Sequence, residues 1–187
     1  MPSVFLSPST QEFNPYIDGG NEEYYMNLIA NEMTPYLLAS GLQVGRNNPN
    51  LSLSDAIEQS NLGNYNLHFA IHSNASPPNI SGKQKGADVY YYNGSQKGLQ
   101  LATIIVNNYK DIYPNPNLVK SIPTTILAEL RLTTSTAILI ETGYHDNAED
   151  AEWIRQNISE IAKNLSLSIT EYFGVPFVEP KYWKYFF

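Results

Sequence analysis

Hydrophobic positions along this chain follow two alternating rhythms. Val4, Phe5 and Leu6 form a short apolar run between Pro2 and Ser7-Pro8-Ser9, which predicts a strand. A polar stretch to Gly19-Gly20 follows, and then the period changes. Met26, Ile29, Ala30, Met33 and Leu37 recur at steps of three and four, predicting a helix from Asn21 that Gly41 stops. Pro35 lies inside it and allows a bend. Leu42-Gln43-Val44 is a second short strand, and residues 46–50 are a turn. Ser52 or Asp55 can cap a helix through Ile57 towards Leu62. Residues 67–71, Leu-His-Phe-Ala-Ile, form a buried-strand pattern that delivers His72, Ser73 and Asn74.

A loop with Pro77, Pro78 and Gly82 leads to a strand over 87–92. Leu99, Ala102, Ile105, Val106 and Tyr109 share one side of a helix that begins at Ser95. Pro114 and Pro116 mark its far boundary, and residues 117–135 carry no single period. Ala137 to Ile140 is a strand ending at Glu141-Thr142-Gly143, and helices follow over about 148–155 and 157–172. The alternation of strand and helix predicts an α/β fold. It is a single three-layer domain over 1–174, with a central twisted, mostly parallel or mixed sheet and helices on both faces. An aromatic tail, 175–187, follows as a packing or interaction segment.

Composition narrows the chemistry. Of 187 residues, 42% are hydrophobic, enough for one folded core. Eleven Lys and Arg against eighteen Asp and Glu give a formal charge of −7, which argues against nucleic-acid or anionic-lipid binding. With no Cys, thiolate metal sites, thiol nucleophiles and disulfides are excluded. No run of eighteen apolar residues predicts a membrane span, so no membrane insertion is expected. The start Met-Pro-Ser lacks the basic region and long apolar core of a secretory signal peptide. Synthesis in the cytoplasm is therefore expected, as a monomer.

Polar groups at the carboxyl ends of strands are the informative positions in an α/β sheet. Two predicted strands end this way, one at His72 and the other at Glu141. Either residue can also serve structure alone, the histidine by bonding a loop and the carboxylate by being capped. Glu22 and Glu23 suit a helix N-terminus by charge. Glu22 also continues the Met26, Ile29, Ala30 and Met33 stripe, so it points over the sheet edge, whereas Glu23 is turned about 100° away. A carboxylate beside one or two histidines is a plausible zinc set. His68 shares a strand face with His72 but lies about 13 Å along it, too far to share one zinc, and reads as structural.

Val4-Phe5-Leu6-Ser7-Pro8, the helix from Glu22 through Ile29-Ala30 to Gly41, Ile71-His72-Ser73-Asn74-Ala75, and Leu139-Ile140-Glu141-Thr142-Gly143-Tyr144 with Asn147 carry a resemblance. Over about residues 3–173 the chain resembles the zinc-dependent N-acetylmuramoyl-L-alanine amidases, single-domain α/β cell-wall hydrolases that include autolysins and endolysins. The resemblance implies a zinc cofactor and peptidoglycan glycan-peptide strands as partner. It also implies action at the cell wall, after lysis or export without a signal peptide. It places Glu22 (with Glu23 as fallback) and His72 as metal ligands, and Glu141 as the catalytic group that takes a proton from water and returns it to the leaving amine.

One family feature is missing. A ligand histidine normally follows the first strand, and Thr10 stands in its place. With only three His in the chain, His145 is the expected third ligand, turned inward by the freedom of Gly143, with Gln11 or Glu12 as alternatives. Ser73, Asn74 and Tyr144 are candidate substrate contacts, and the 77–86 loop a cleft wall. Thr10 also leaves open a non-catalytic or weakly active peptidoglycan-binding domain, and another zinc peptidase or amidohydrolase remains a third class.

Overall fold

A computed structural model describes residues 1–180 of the chain. Six strands, β1 (Ser3–Pro8), β2 (Gln43–Arg46), β3 (Leu67–Asn74), β4 (Ala87–Tyr92), β5 (Val119–Thr124) and β6 (Thr136–Tyr144), form one sheet in the order β2-β1-β3-β6-β4-β5. All neighbouring pairs are parallel except β4 with β6. The sheet is therefore mixed, and it is a strand from the unpatterned 117–135 stretch, β5, that closes one edge. The last seven residues of the expected aromatic tail lie outside the described residues. Within 175–180, Phe177 stacks on Tyr36 with ring centroids 5.6 Å apart, and the Val178 amide donates to Ser40 Oγ.

Two unequal layers cover the sheet. Helices α1 (Glu22–Ala39), α3 (Gln96–Tyr109), α5 (Ala148–Gln156) and α6 (Ile158–Phe173) contribute to the main core, where Met26, Ile29, Leu101, Ile105, Leu165 and Ile169 meet Phe69, Ile71, Ile138 and Ile140. Their stripes repeat at three and four residues, so each helix buries one side. The other layer is thin. Helix α2 (Leu53–Gly63) and the single-turn α4 (Ala128–Arg131) cover a small cluster of Ala70, Leu130, Ala137 and Leu139. Helix α1 runs through Pro35 to a cap at Ser40, and Gly41 follows at φ +85°. In α2 the capping pair resolves to both candidates at once: Ser52 is the N-cap, and the Asp55 carboxylate reciprocates.

The thin layer leaves one side of the β1, β3 and β6 carboxyl ends open, and the site lies there. Because β4 runs against β6, its beginning rather than its end arrives at this place, and Asp88 stands in register with Glu141. The turn into β4 is tight. Gly86 has φ +129°, and an added Cβ would lie 2.6 Å from the Leu118 carbonyl oxygen. Gly86→Ala is expected to destabilise the fold by roughly 1–3 kcal/mol through overpacking and backbone strain. A shift of the urea midpoint with an unchanged slope is the measure.

Candidate active site

Strand β3 is buried on both faces, and two histidines interrupt its apolar run. His72 is 8% exposed and sits between two carboxylates. Its Nδ1 lies 2.9 Å from Glu22 Oε1, and its Nε2 lies 3.0 Å from Glu129 Oε2. Carboxylates only accept, so both ring nitrogens donate and the ring is an imidazolium in this arrangement. Burial opposes that charge, but the Glu129 and Glu22 hydrogen bonds outweigh it and hold the His72 pKa well above its ordinary 6.5. Burial likewise disfavours ionised Glu22, and the bonds from His72 and from Asn14 reverse the effect and lower its pKa. Asn14 Nδ2 donates to Glu22 Oε2 at 2.6 Å.

Helix capping explains how Glu22 arrives. Asn21 caps α1 by accepting from the Tyr24 amide, so Glu22 is the first helical residue and stands over the strand ends. It is 1% exposed, whereas Glu23 is only partly buried and makes no contact with the histidine. Helical phase predicts that Glu22 points over the sheet edge, and its carboxylate faces His72 there.

Glu141 is the third member. It pairs in register with His72 across β3 and β6, so both point to the same sheet face. Its Oε2 is shut from solvent and has no hydrogen-bond partner. Burial, with the negative charges of Glu22, Asp88 and Glu129 added, outweighs His72 and pushes its pKa up to about 8. Neither His72 nor Glu141 ends its strand as expected. Past an irregularity after His72, Asn74 still pairs with Tyr144, and both strands run on.

That continuation gives His145 other partners than Glu22 and His72. The His145 amide donates to the Asn74 carbonyl at 2.8 Å, extending the sheet, and Gly143 keeps a negative φ instead of turning the chain. The ring is held by Ser73, with Nδ1 2.9 Å from the Ser73 carbonyl oxygen, and stacks on Tyr16. No hydrogen bond or ion pair joins it to Glu22 or His72. Gly143 serves packing: an added Cβ would lie 3.1 Å from Ile154 Cδ1. His145→Ala is expected to weaken the fold and to leave zinc uptake equal to the parent's in a calorimetric titration.

The candidate substrate contacts separate in the same way. The Ser73 hydroxyl is buried against His145 Nδ1. The Asn74 side chain bonds the next backbone amide, and Tyr144 is 9% exposed. The 77–86 loop is clasped to Asp146, whose carboxylate accepts from the Gly82 and Ser76 amides and from Ser81 Oγ. The cavity beside His72, about 410 Å³, is walled instead by residues of 7–13 and 47–56, with Glu129 at its base.

Glu129, Asp88 and Ser7 were not foreseen. Glu129 lies in the unpatterned stretch, one charged residue in a four-residue helix, and no spacing marks it. The family's zinc can be tested against these residues. Among the described residues, no three His, Cys, Asp or Glu side chains are grouped to hold a metal. Glu22 and His72 nevertheless supply a carboxylate and an imidazole facing each other. Gln11, not Glu12, closes a further side, its amide nitrogen 3.5 Å from His72 Nδ1. With Glu141 Oε2 near them and without a hydrogen-bond partner among the described residues, the carboxylate and imidazole are donor types that suit zinc.

The family model of N-acetylmuramoyl-L-alanine amidases matches residues 12–171. The chain belongs to this family. Its reaction is hydrolysis of the amide between N-acetylmuramic acid and L-alanine in peptidoglycan. The match begins just beyond Thr10. The fold is similar to the amidase AmiC2 of Nostoc punctiforme, with a TM-score of 0.80 and 21% identity over 92% of this chain and 97% of that one. It is similar to the catalytic domain of the amidase CwlV of Bacillus (Paenibacillus) polymyxa, with a TM-score of 0.78 and 20% identity over 94% and 100%. The catalytic domain of the CD27L endolysin targeting Clostridia difficile has a TM-score of 0.74 and 23% identity over 91% and 98%. No curated protein sequence matches. Among the described residues, no helix is long and apolar enough to cross a membrane.

Proposed function

We propose that this amidase works in the cleft at the carboxyl ends of β1, β3 and β6, with Glu141 as the proton-transfer group and zinc as cofactor. The observation that carries the reading is the convergence of Glu22, His72 and Glu141, which come from one helix and two strands, at one side of the sheet. Glu22 and His72 would hold the metal, and the Gln11 amide, rotated so that its oxygen faces the ring, would complete the set. When bound, zinc supplies a Lewis acid that polarises the scissile carbonyl and acidifies water.

The chain's own residues do the rest. Glu141, as the carboxylate, takes a proton from the attacking water and returns it to the leaving amine. The cavity walls exclude solvent from the bond, and the exposed Phe13, Leu51 and Leu53 at its rim offer apolar surface to a glycan-peptide strand. Such a strand reaches the site from the wall side, after lysis or export. Elemental analysis of the purified protein, beside the release of L-alanine amino termini from peptidoglycan, tests the reading. One zinc per chain with new amino termini supports it, and release by protein stripped of metal removes the zinc.

Thr10 favours a second reading, a peptidoglycan-binding domain with little turnover. It lines the cavity without any metal-binding ring. Sedimentation with intact peptidoglycan, and no amino termini released at saturating zinc, would select it.

A further inference from the structure

The geometry points to Glu129 as a positioning residue. It holds the proton of His72 on Nε2, and so leaves Nδ1 as the ring nitrogen offered to the Glu22 side of the cleft. This deepens the reading of the site given above.

Glu129 is 3% exposed and every side of its carboxylate is occupied. Oε1 accepts from Ser7 Oγ at 2.6 Å and from His68 Nε2 at 3.0 Å, while Oε2 accepts from His72 Nε2 at 3.0 Å. His68 is fully buried, and its other nitrogen lies 3.0 Å from Ser60 Oγ. Nε2 of His68 donates to the carboxylate and Nδ1 faces the Ser60 hydroxyl, so both ring nitrogens are held in place. Phe5 stacks on that ring with centroids 5.8 Å apart. Four elements, β1, α2, β3 and α4, thus converge to seat one ionised carboxylate.

Such a carboxylate dictates where the His72 proton sits. Nε2 must carry hydrogen, because its partner cannot donate. When the ring gives up one of its two protons, Glu129, fixed by Ser7 and His68, keeps the one on Nε2, and the lone pair appears on Nδ1, beside Glu22 and Gln11. A histidine that offers one nitrogen to a metal gains orientation when a carboxylate fixes the other. The His68–Ser60 pair prevents Glu129 from turning away.

Glu129→Gln separates positioning from mere support, because it keeps the shape and gives the carboxylate a donor end. Its oxygen should remain where Ser7 and His68 both donate, which turns the amide nitrogen towards His72 Nε2. That nitrogen must then accept, so the ring gives its Nε2 proton up to solvent and keeps the one on Nδ1. The readout is the ¹⁵N spectrum of histidine-labelled, metal-free protein. Both His72 nitrogens should be protonated in the parent, and Nε2 should lose its proton in Glu129→Gln. Zinc affinity by calorimetry should fall roughly 10–100-fold. A variant that keeps the Nε2 proton and binds zinc within threefold of the parent overturns the inference. Should the variant not fold, the parent alone decides: an unprotonated His72 Nε2 overturns it, and a protonated one that exchanges slowly with water upholds it. A parent that takes no zinc removes the metal from the proposed function, while the spectrum still judges Glu129.

Discussion

Glu141→Gln is expected to remove turnover by roughly 10²–10⁴-fold while zinc uptake and folding persist, since general acid–base assistance is worth about that much. Gln keeps the volume and can still hydrogen-bond, but it cannot take a proton from water. The same substitution should stabilise metal-free protein in alkaline solution. In the parent the Glu141 pKa is raised from 4.5 to about 8, so between those values the unfolded chain holds fewer protons than the folded one. Stability from this group is therefore present below about pH 4.5 and is lost as the pH rises through about 8. Gln has no such slope. At about 1.4 kcal/mol for each unit, the variant should gain a few kcal/mol on the parent between pH 5 and pH 9. Melting curves in chelator measure that gain, and amino-terminus release per zinc-loaded molecule measures turnover. Turnover within threefold of the parent would take Glu141 out of the mechanism. Parallel pH profiles would show that its carboxyl ionises freely.

His72→Ala should have the largest effect on stability. It removes the cation between Glu22 and Glu129 and leaves two buried carboxylates without their shared counter-charge, a loss that typically costs about 3–5 kcal/mol. For a chain of this size that corresponds to a melting temperature lower by roughly 10 °C. The loss should depend on pH in a definite sense. The raised His72 pKa stabilises the fold fully below the ordinary 6.5, and that contribution fades as pH rises through the folded value. The lowered Glu22 pKa stabilises above its ordinary 4.5 and fades as pH falls through the folded value. The difference between parent and variant should therefore peak between about pH 4.5 and 6.5 in chelator. A difference independent of pH would mean that the ring contributes only by packing. Zinc uptake should disappear as well.

The comparison of sequence and site turns on a few residues. Glu22 was legible because helical phase is a local property: four residues before Met26, it had to share that residue's side. His72 and Glu141 were legible because apolar strands carry the polar residues near their carboxyl ends to one edge of a sheet. The direction of the His145 ring was not legible in the same way. Its place four residues after Glu141 suggested a turn at Gly143, but whether a glycine turns or stays extended depends on the neighbouring strand. Here the Asn74 carbonyl captures the His145 amide and draws the ring to Ser73.

By itself, the sequence determined the alternation of strands and helices, the mixed α/β class, the exclusion of thiol chemistry, and the three residues that meet at the strand ends. These follow from period, composition and short-range geometry. Tertiary structure alone decided the antiparallel course of β4, which brings Asp88 to Glu141, and the seat of Glu129 between His68 and His72. Glu129 is 57 residues from His72 along the chain, on a single helical turn with no period of its own. Its role exists only when β1, α2, β3 and α4 pack together. Long-range pairing sets such contacts, and a pattern read within ten or twenty residues carries no record of it.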